Sequence, residues 1–252
     1  MKIACSTASF ERALGEGSLT QLEWLDLCAN ELEIDGVVFE ARHFPRTDGE
    51  YLAQLKKLCA DLGLTVAGLA ADDVLAGRPG ERIAQAEALG APLIVARAEA
   101  ASEDPAAWGC FVEGASAAAS AGKRQNVTVA VRNAPGTLCA GAGDLKRLAK
   151  DVDSAWLRFA PDLIAFSALD ATAAIAAKAV LAVHAIEGLE GFATENDPAA
   201  QALLRELRRF RGFVLIERGG EDAPRDAYHR ALDRFRALRA VALDAGASAP
   251  AH

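Results

Sequence analysis

The chain has 252 residues, enough to bury a large core and a normal size for one substantial α/β unit. Its composition, 52% hydrophobic and 25% charged, excludes wholesale disorder. A formal net charge of −8 opposes nucleic acid phosphates, and the densest basic run, Arg205, Arg208, Arg209 and Arg211, is interrupted by Glu206 and followed by Glu217, which describes a solvated helix face.

Short apolar runs alternate with segments of helical period along the whole chain. Ile3–Ser6 reads as a first strand. Leu19–Leu32 reads as a helix with Leu22, Leu25 and Ala29 on one face and Ser18 as its cap. Gly36–Glu40 is the second strand and Asp48–Leu62 the second helix, stopped by Gly63. Thr65–Ala70 and Gly80–Leu89 form the third pair, with Gly90 after it. Leu93–Arg97 is the fourth strand, followed by a long Ala-rich helix over about residues 105–121. Val127–Val131 and Asp144–Lys150 are the fifth pair; Leu157–Ala160 and Leu169–Ala177 the sixth; Val180–His184 and Pro198–Phe210 the seventh. Phe213–Glu217 is the eighth strand and Arg225–Leu243 the last helix.

Strands separated by helices imply a parallel sheet, and eight such units in this length match a closed (β/α)8 TIM barrel. The competing doubly wound sheet lacks its G-x-G-x-x-G after the first strand; Gly141-Ala142-Gly143 follows the fifth strand without a third glycine and reads as a turn. The expected organisation is one barrel domain over residues 1–244 and an Ala/Gly/Ser/Pro-rich tail over 245–252.

Five widely spaced cysteines, Cys5, Cys28, Cys59, Cys110 and Cys139, are odd in number and form no C-x-x-C, which fits reduced thiols in the cytoplasm. Met1–Cys5 is too short an apolar stretch for a signal-peptide core, and no run approaches the roughly 20 apolar residues that span a bilayer. No membrane and no nucleic acid partner is therefore expected.

A parallel barrel builds its active site at the carboxyl ends of its strands. The polar residues there are Ser6 and Thr7; Glu40, Arg42 and His43; Asp72 and Asp73; Arg97 and Glu99; Arg132 and Asn133; Asp162; His184 and Glu187; Glu217 and Arg218. Asp, His and Glu from successive strand ends form a set of O and N ligands suited to a divalent cation. Each also has a plain structural role open to it: Asp162 as a helix cap, His184 as a hydrogen-bonded core histidine, Glu217 as an ion-pair partner of Arg132 or Arg218.

Gly36–Glu40, Cys59–Leu64, Leu89–Pro92 with Arg97, Val152–Leu157 ahead of Asp162, Val183-His184 and Gly212–Glu217, in this order, resemble sugar-phosphate isomerases/epimerases of the xylose-isomerase-like barrel superfamily. The resemblance covers nearly the whole chain. It implies a sugar or sugar-phosphate ligand and a divalent metal, Mn, Zn or Mg, on Glu, Asp, His and Glu at the ends of strands five to eight. Asp162, His184 and Glu217 match three of these; Arg132-Asn133 stands where the family has Glu-Asn, and Ala185-Ile186 follows the histidine where the family favours Lys. Metal is accordingly expected to be weakly bound or absent. Catalysis is assigned to Glu217, Arg132 and His184, and substrate binding to Glu40, Arg97 and Asn133.

The expected activity is proton transfer at the carbon next to a carbonyl, as in a sugar isomerase or epimerase. The alternatives are a non-catalytic carbohydrate-binding barrel and a lyase or dehydratase acting alpha to a carbonyl. The superfamily's DNA-repair branch holds several zinc ions on many histidines; this chain has four, with His229 in the last helix and His252 at the end.

Overall fold

The computed structural model describes residues 2–77, 79–162, 180–185, 210–218 and 225–247, with 182–185 and 241–247 described in backbone only. The helices expected at Leu169–Ala177 and Pro198–Phe210, apart from Phe210 itself, and the residue Glu187 lie outside the described residues.

Eight strands form one parallel sheet: β1 Lys2–Ser6, β2 Gly36–Glu40, β3 Thr65–Ala70, β4 Leu93–Arg97, β5 Thr128–Arg132, β6 Leu157–Phe159, β7 Leu181–Ala185 and β8 Phe213–Glu217. Their order is β6-β5-β4-β3-β2-β1-β8-β7, and the Val180 N–H donates to the Phe159 carbonyl at 3.0 Å, joining the two ends of that order. This is the expected (β/α)8 barrel.

The alternation of strand side chains sorts the core into two layers. Ala4, Val38, Ala67, Leu93, Val95, Ala130, Ala160, Leu181 and Leu215 pack together inside the barrel. Their neighbours Cys5, Val37, Phe39, Ile94, Val129, Val131 and Ile216 join a larger cluster with the helices. Each fully buried Val, Leu, Ile or Phe contributes about 1.5–3 kcal/mol. Continuing the inner series by two residues along β2, β4, β5 and β8 reaches Glu40, Arg97, Arg132 and Glu217, all at one mouth.

Two local expectations change. The first long helix starts at Gln21, capped by Thr20 rather than Ser18: the Thr20 side chain accepts from the Glu23 N–H while the Glu23 carboxylate accepts from the Thr20 N–H. Ser18 instead donates to the Ala13 carbonyl at 3.3 Å. The buried face is Gln21, Trp24, Leu25 and Cys28, whereas Leu22 is 56% exposed. A buried glutamine hides this face from a hydrophobic count; its amide donates to the His43 carbonyl at 2.8 Å and accepts from the Tyr51 hydroxyl at 2.9 Å. The C-terminal helix Arg225–Ala247 also runs into the stretch expected as a tail, where Ala245 and Ala247 favour helix.

Four of the five cysteines are small core residues. All five thiols are free, and Cys5, Cys28, Cys59 and Cys139 are buried. Burial pushes the Cys59 and Cys139 thiols up to about 12, which keeps them protonated and unreactive.

The helix Ala107–Gln125 approaches the turn after β3 so closely that a Cβ on Gly114 would lie 2.1 Å from the Leu75 carbonyl oxygen. Alanine in a helix interior is normally worth up to about 1 kcal/mol over glycine. Here Gly114→Ala is expected to lower stability by about 1–3 kcal/mol, because backbone must move to admit the methyl group. Urea unfolding measures this; a variant as stable as the parent would mean that the two segments do not meet this closely.

Candidate functional site

The mouth at the carboxyl ends of the strands holds a cavity of about 230 Å³ lined by Glu11, Glu40, Arg42, Asp72, Arg97, Arg132 and Glu217, with Ala8, Ala70 and Val95 as its apolar wall. Buried hydroxyls of the loop after β1 fix the rim. Thr7 Oγ1 accepts from the Glu40 N–H at 2.8 Å, and Ser9 Oγ accepts from the Arg218 N–H at 3.0 Å. The first loop thus clamps the ends of β2 and β8.

Arg132 crosses this mouth. Its Nη1 donates to Glu217 Oε1, and its Nη2 donates to Asp162 Oδ2 at 2.8 Å. One guanidinium therefore links the ends of β5, β6 and β8. The Arg132 and Asp162 side chains are each 18% exposed and that of Glu217 is 9% exposed. Burial alone would lower the guanidinium pKa, but the charges of Glu217 and Asp162 push it up, so the cation is permanent. Its Nε is buried with no hydrogen-bond partner among the described residues.

Asn133, expected to bind substrate, does not line the cavity. It is fully buried, its amide oxygen accepts from the Asp162 N–H at 2.8 Å, and its amide nitrogen donates to the Ala140 carbonyl at 3.4 Å. It positions Asp162 instead. Arg97 does line the cavity, held by Asp72: the Arg97 N–H, Nε and Nη2 donate to this carboxylate at 2.8, 3.1 and 3.0 Å. The backbone register sets His184 level with Ile216, and Ala185 level with Glu217.

Glu40 has the most altered proton affinity of the lining carboxyls. Burial first, then the negative charge of Glu217 and of Asp72, raise it to about 7 against the opposing pull of Arg42 and Arg97. A carboxyl of this kind exchanges protons near neutrality. Glu11, absent from the residues expected at strand ends, enters the site from the short helix after β1 and pairs with Arg42 at 3.0 Å. Only its charge complementarity to Arg42 marked it in the sequence. His43, directly after Arg42, is nearly buried; among the described residues neither ring nitrogen forms a hydrogen bond, Nε2 lies 4.0 Å from Glu11 Oε1, and burial lowers its pKa, which favours the neutral ring.

The residues present do not fit the divalent metal that the resemblance implies. A guanidinium sits between two of the three matching ligands and hydrogen-bonds to both. A dication there would face this fixed positive charge at short range. Among the described residues no group of three or more His, Cys, Asp or Glu is arranged to hold a metal ion.

Residues 27–238 match the model of the xylose isomerase-like TIM barrel family. A comparison with curated proteins finds no match. Among solved structures, the chain is similar to a D-psicose 3-epimerase determined in the presence of D-fructose (TM-score 0.76, 14% identity, covering 96% of this chain and 99% of that one). It is also similar to the apo form of a 3-keto-D-glucoside 4-epimerase from E. coli (TM-score 0.72, 15% identity, 95% and 99% covered). An L-ribulose 3-epimerase gives a TM-score of 0.73 at 15% identity, with 100% and 99% covered.

Two outcomes follow from this geometry. Glu40 keeps its proton in the folded chain up to about pH 7, whereas an unfolded glutamate releases it near 4.5. Rising pH therefore removes stability across that window, by up to about 3 kcal/mol, and the loss is complete above it. Glu40→Gln cannot ionise, so its stability relative to the parent should rise between pH 5 and pH 8 in urea titrations; parallel profiles would mean that Glu40 is not the group responsible. Separately, Arg132→Glu restores the family's ligand set and should gain affinity for Mn²⁺ in calorimetry, while the parent chain carries well under one metal per chain. No gain in a folded variant would show that Arg132 does not stand at the ligand position.

Proposed function

Because the chain belongs to the xylose isomerase-like TIM barrel family, we propose that its mouth binds a sugar-sized polyhydroxylated carbonyl compound and moves a proton at the carbon beside the carbonyl, as an isomerase or epimerase does, with Arg132 in place of a resident metal. The observation that carries this reading is the Arg132 guanidinium bridging Asp162 and Glu217 inside a lined cavity. The names of the similar structures, sugar epimerases among them, support the substrate class.

Removing a proton next to a carbonyl needs a base and something to stabilise the negative charge that builds on the oxygen. Glu40 is the group we assign to proton transfer: its carboxylate takes the proton from the carbon beside the carbonyl, and the resulting acid returns it to the former carbonyl carbon as the hydroxyl proton passes between the two oxygens, the one-base route of an aldose–ketose isomerisation. Glu217, one of the residues to which catalysis was assigned, has Oε1 taken up by Arg132 and serves in this reading to hold the guanidinium. Arg132 supplies permanent positive charge at the cavity wall, using two of its five N–H donors on the carboxylates. Isomerisation of this kind needs no second carboxylate from β5, whereas epimerisation would need a second group on the opposite face of the ligand.

The second reading is a carbohydrate-binding barrel without catalysis. It is favoured by the engagement of both terminal guanidinium nitrogens with carboxylates. One experiment separates the two. EDTA-dialysed protein is incubated in D2O with D-fructose, D-tagatose or L-ribulose, and deuterium at the carbon adjacent to the carbonyl is followed by NMR. Incorporation above the protein-free control, lost in Glu40→Gln, is expected. Binding of a sugar without incorporation would leave the non-catalytic reading; incorporation only after metal is added would overturn the metal-free assignment.

A further inference from the structure

A second cavity, of about 180 Å³, adjoins the first and shares Glu40, Arg42, Ala70, Asp72 and Arg97 with it, adding Asp73 and Arg82. Basic residues around a sugar site would ordinarily suggest a phosphate or carboxylate on the ligand. The pairing pattern says otherwise. Arg42 lies 3.0 Å from Glu11 and 3.5 Å from Glu40. Arg82 forks onto Asp73 at 2.7 Å and reaches Gln85 at 2.9 Å. Arg97 is held by Asp72 through its backbone and side chain, and Arg132 by Asp162 and Glu217. Every guanidinium on the two walls thus has a carboxylate partner, and among the described lining residues Glu11, Asp72, Asp73 and Glu217 balance the four guanidinium groups even with the Glu40 carboxyl protonated.

We infer that the site selects an uncharged ligand, a free sugar rather than a sugar phosphate or sugar acid, and that Asp72 enforces this choice by holding Arg97. The inference rests on the sugar-binding reading above and goes further than it. An arriving phosphate would meet Asp72, Glu40 and Glu217 on the same walls as the cations, and would have to displace a carboxylate to obtain the planar two-donor contact that guanidinium groups offer anions. A hydroxyl ligand has no such conflict, since it donates to the carboxylates and accepts from the remaining N–H groups. Asp72 is the decisive partner because Arg97 is half exposed toward the shared part of both cavities and this carboxylate holds it there.

The test is calorimetry on the full chain with D-fructose, D-fructose 6-phosphate and inorganic phosphate. The parent should bind D-fructose at least about tenfold more tightly than its 6-phosphate, and phosphate not measurably. Asp72→Asn keeps an oxygen to accept the Arg97 N–H but removes the charge, so phosphate affinity should rise at least about tenfold. That gain should vanish in Asp72→Asn/Arg97→Gln. If D-fructose 6-phosphate binds the parent more tightly than D-fructose, the inference is overturned while the sugar-binding reading stands. If no sugar binds, that reading fails, and phosphate alone decides the inference: a gain on Asp72→Asn supports it and no gain overturns it. Should Asp72→Asn not fold, Asp72→Ser removes the same charge beside Arg97 and is read by the same phosphate titration.

Discussion

A strand in a closed parallel barrel alternates its side chains between the interior and the helices, so the last inward residue of each strand is forced into the mouth. That constraint assembles this site. Val38 leads to Glu40, Val95 to Arg97, Ala130 to Arg132 and Leu215 to Glu217, each two residues further along. Behind them the inner layer is small at β5 and just after β6, where Ala130 and Ala160 are fully buried.

The bridge has consequences beyond its own three residues. Bringing ionised groups out of water costs several kcal/mol per ion, repaid only where pairing is close and complete. Exposed pairs such as Lys57–Asp61 and Arg230–Asp226 face no such cost and contribute little to stability. One guanidinium against two carboxylates leaves the cluster with excess negative charge. Glu217 is the strongest of the neighbouring charges that raise Glu40, after burial itself. Arg132 on β5 therefore puts a fixed monovalent cation between Asp162 and Glu217, while the charge of Glu217 still adds to burial in keeping a proton on Glu40 of β2.

The alternation made most of this legible from residue order alone. Glu40, Arg97, Arg132 and Glu217 follow from strand periodicity, and the ion-pair role open to Glu217 is the one it fills. Asn133, the residue after the inward Arg132, is buried away from the cavity and holds the Asp162 backbone, a role that its polar character alone does not specify. The Asp72–Arg97 and Glu11–Arg42 pairs are decided by loops whose paths periodicity does not specify. Leu22 and Gln21 exchanged places on their helix because a buried polar residue with two specific hydrogen bonds looks, in sequence, like a solvated one. The proton affinity of Glu40 depends on burial and on charges from β3, β4 and β8, none of which its own strand encodes.

The charge balance of the walls and the proton on Glu40 are one problem in electrostatics. Glu40 sits near neutrality because Arg42 and Arg97 partly offset burial and the charges of Glu217 and Asp72. A phosphate bound in the adjoining cavity would add negative charge beside it and engage the same arginines, and both effects would raise Glu40 further. The carboxyl would then stay protonated through physiological pH and be unable to accept a proton. An uncharged ligand changes none of those charges. It leaves Glu40 able to release its proton and take one back within the same narrow range of pH, the condition that proton transfer in both directions requires.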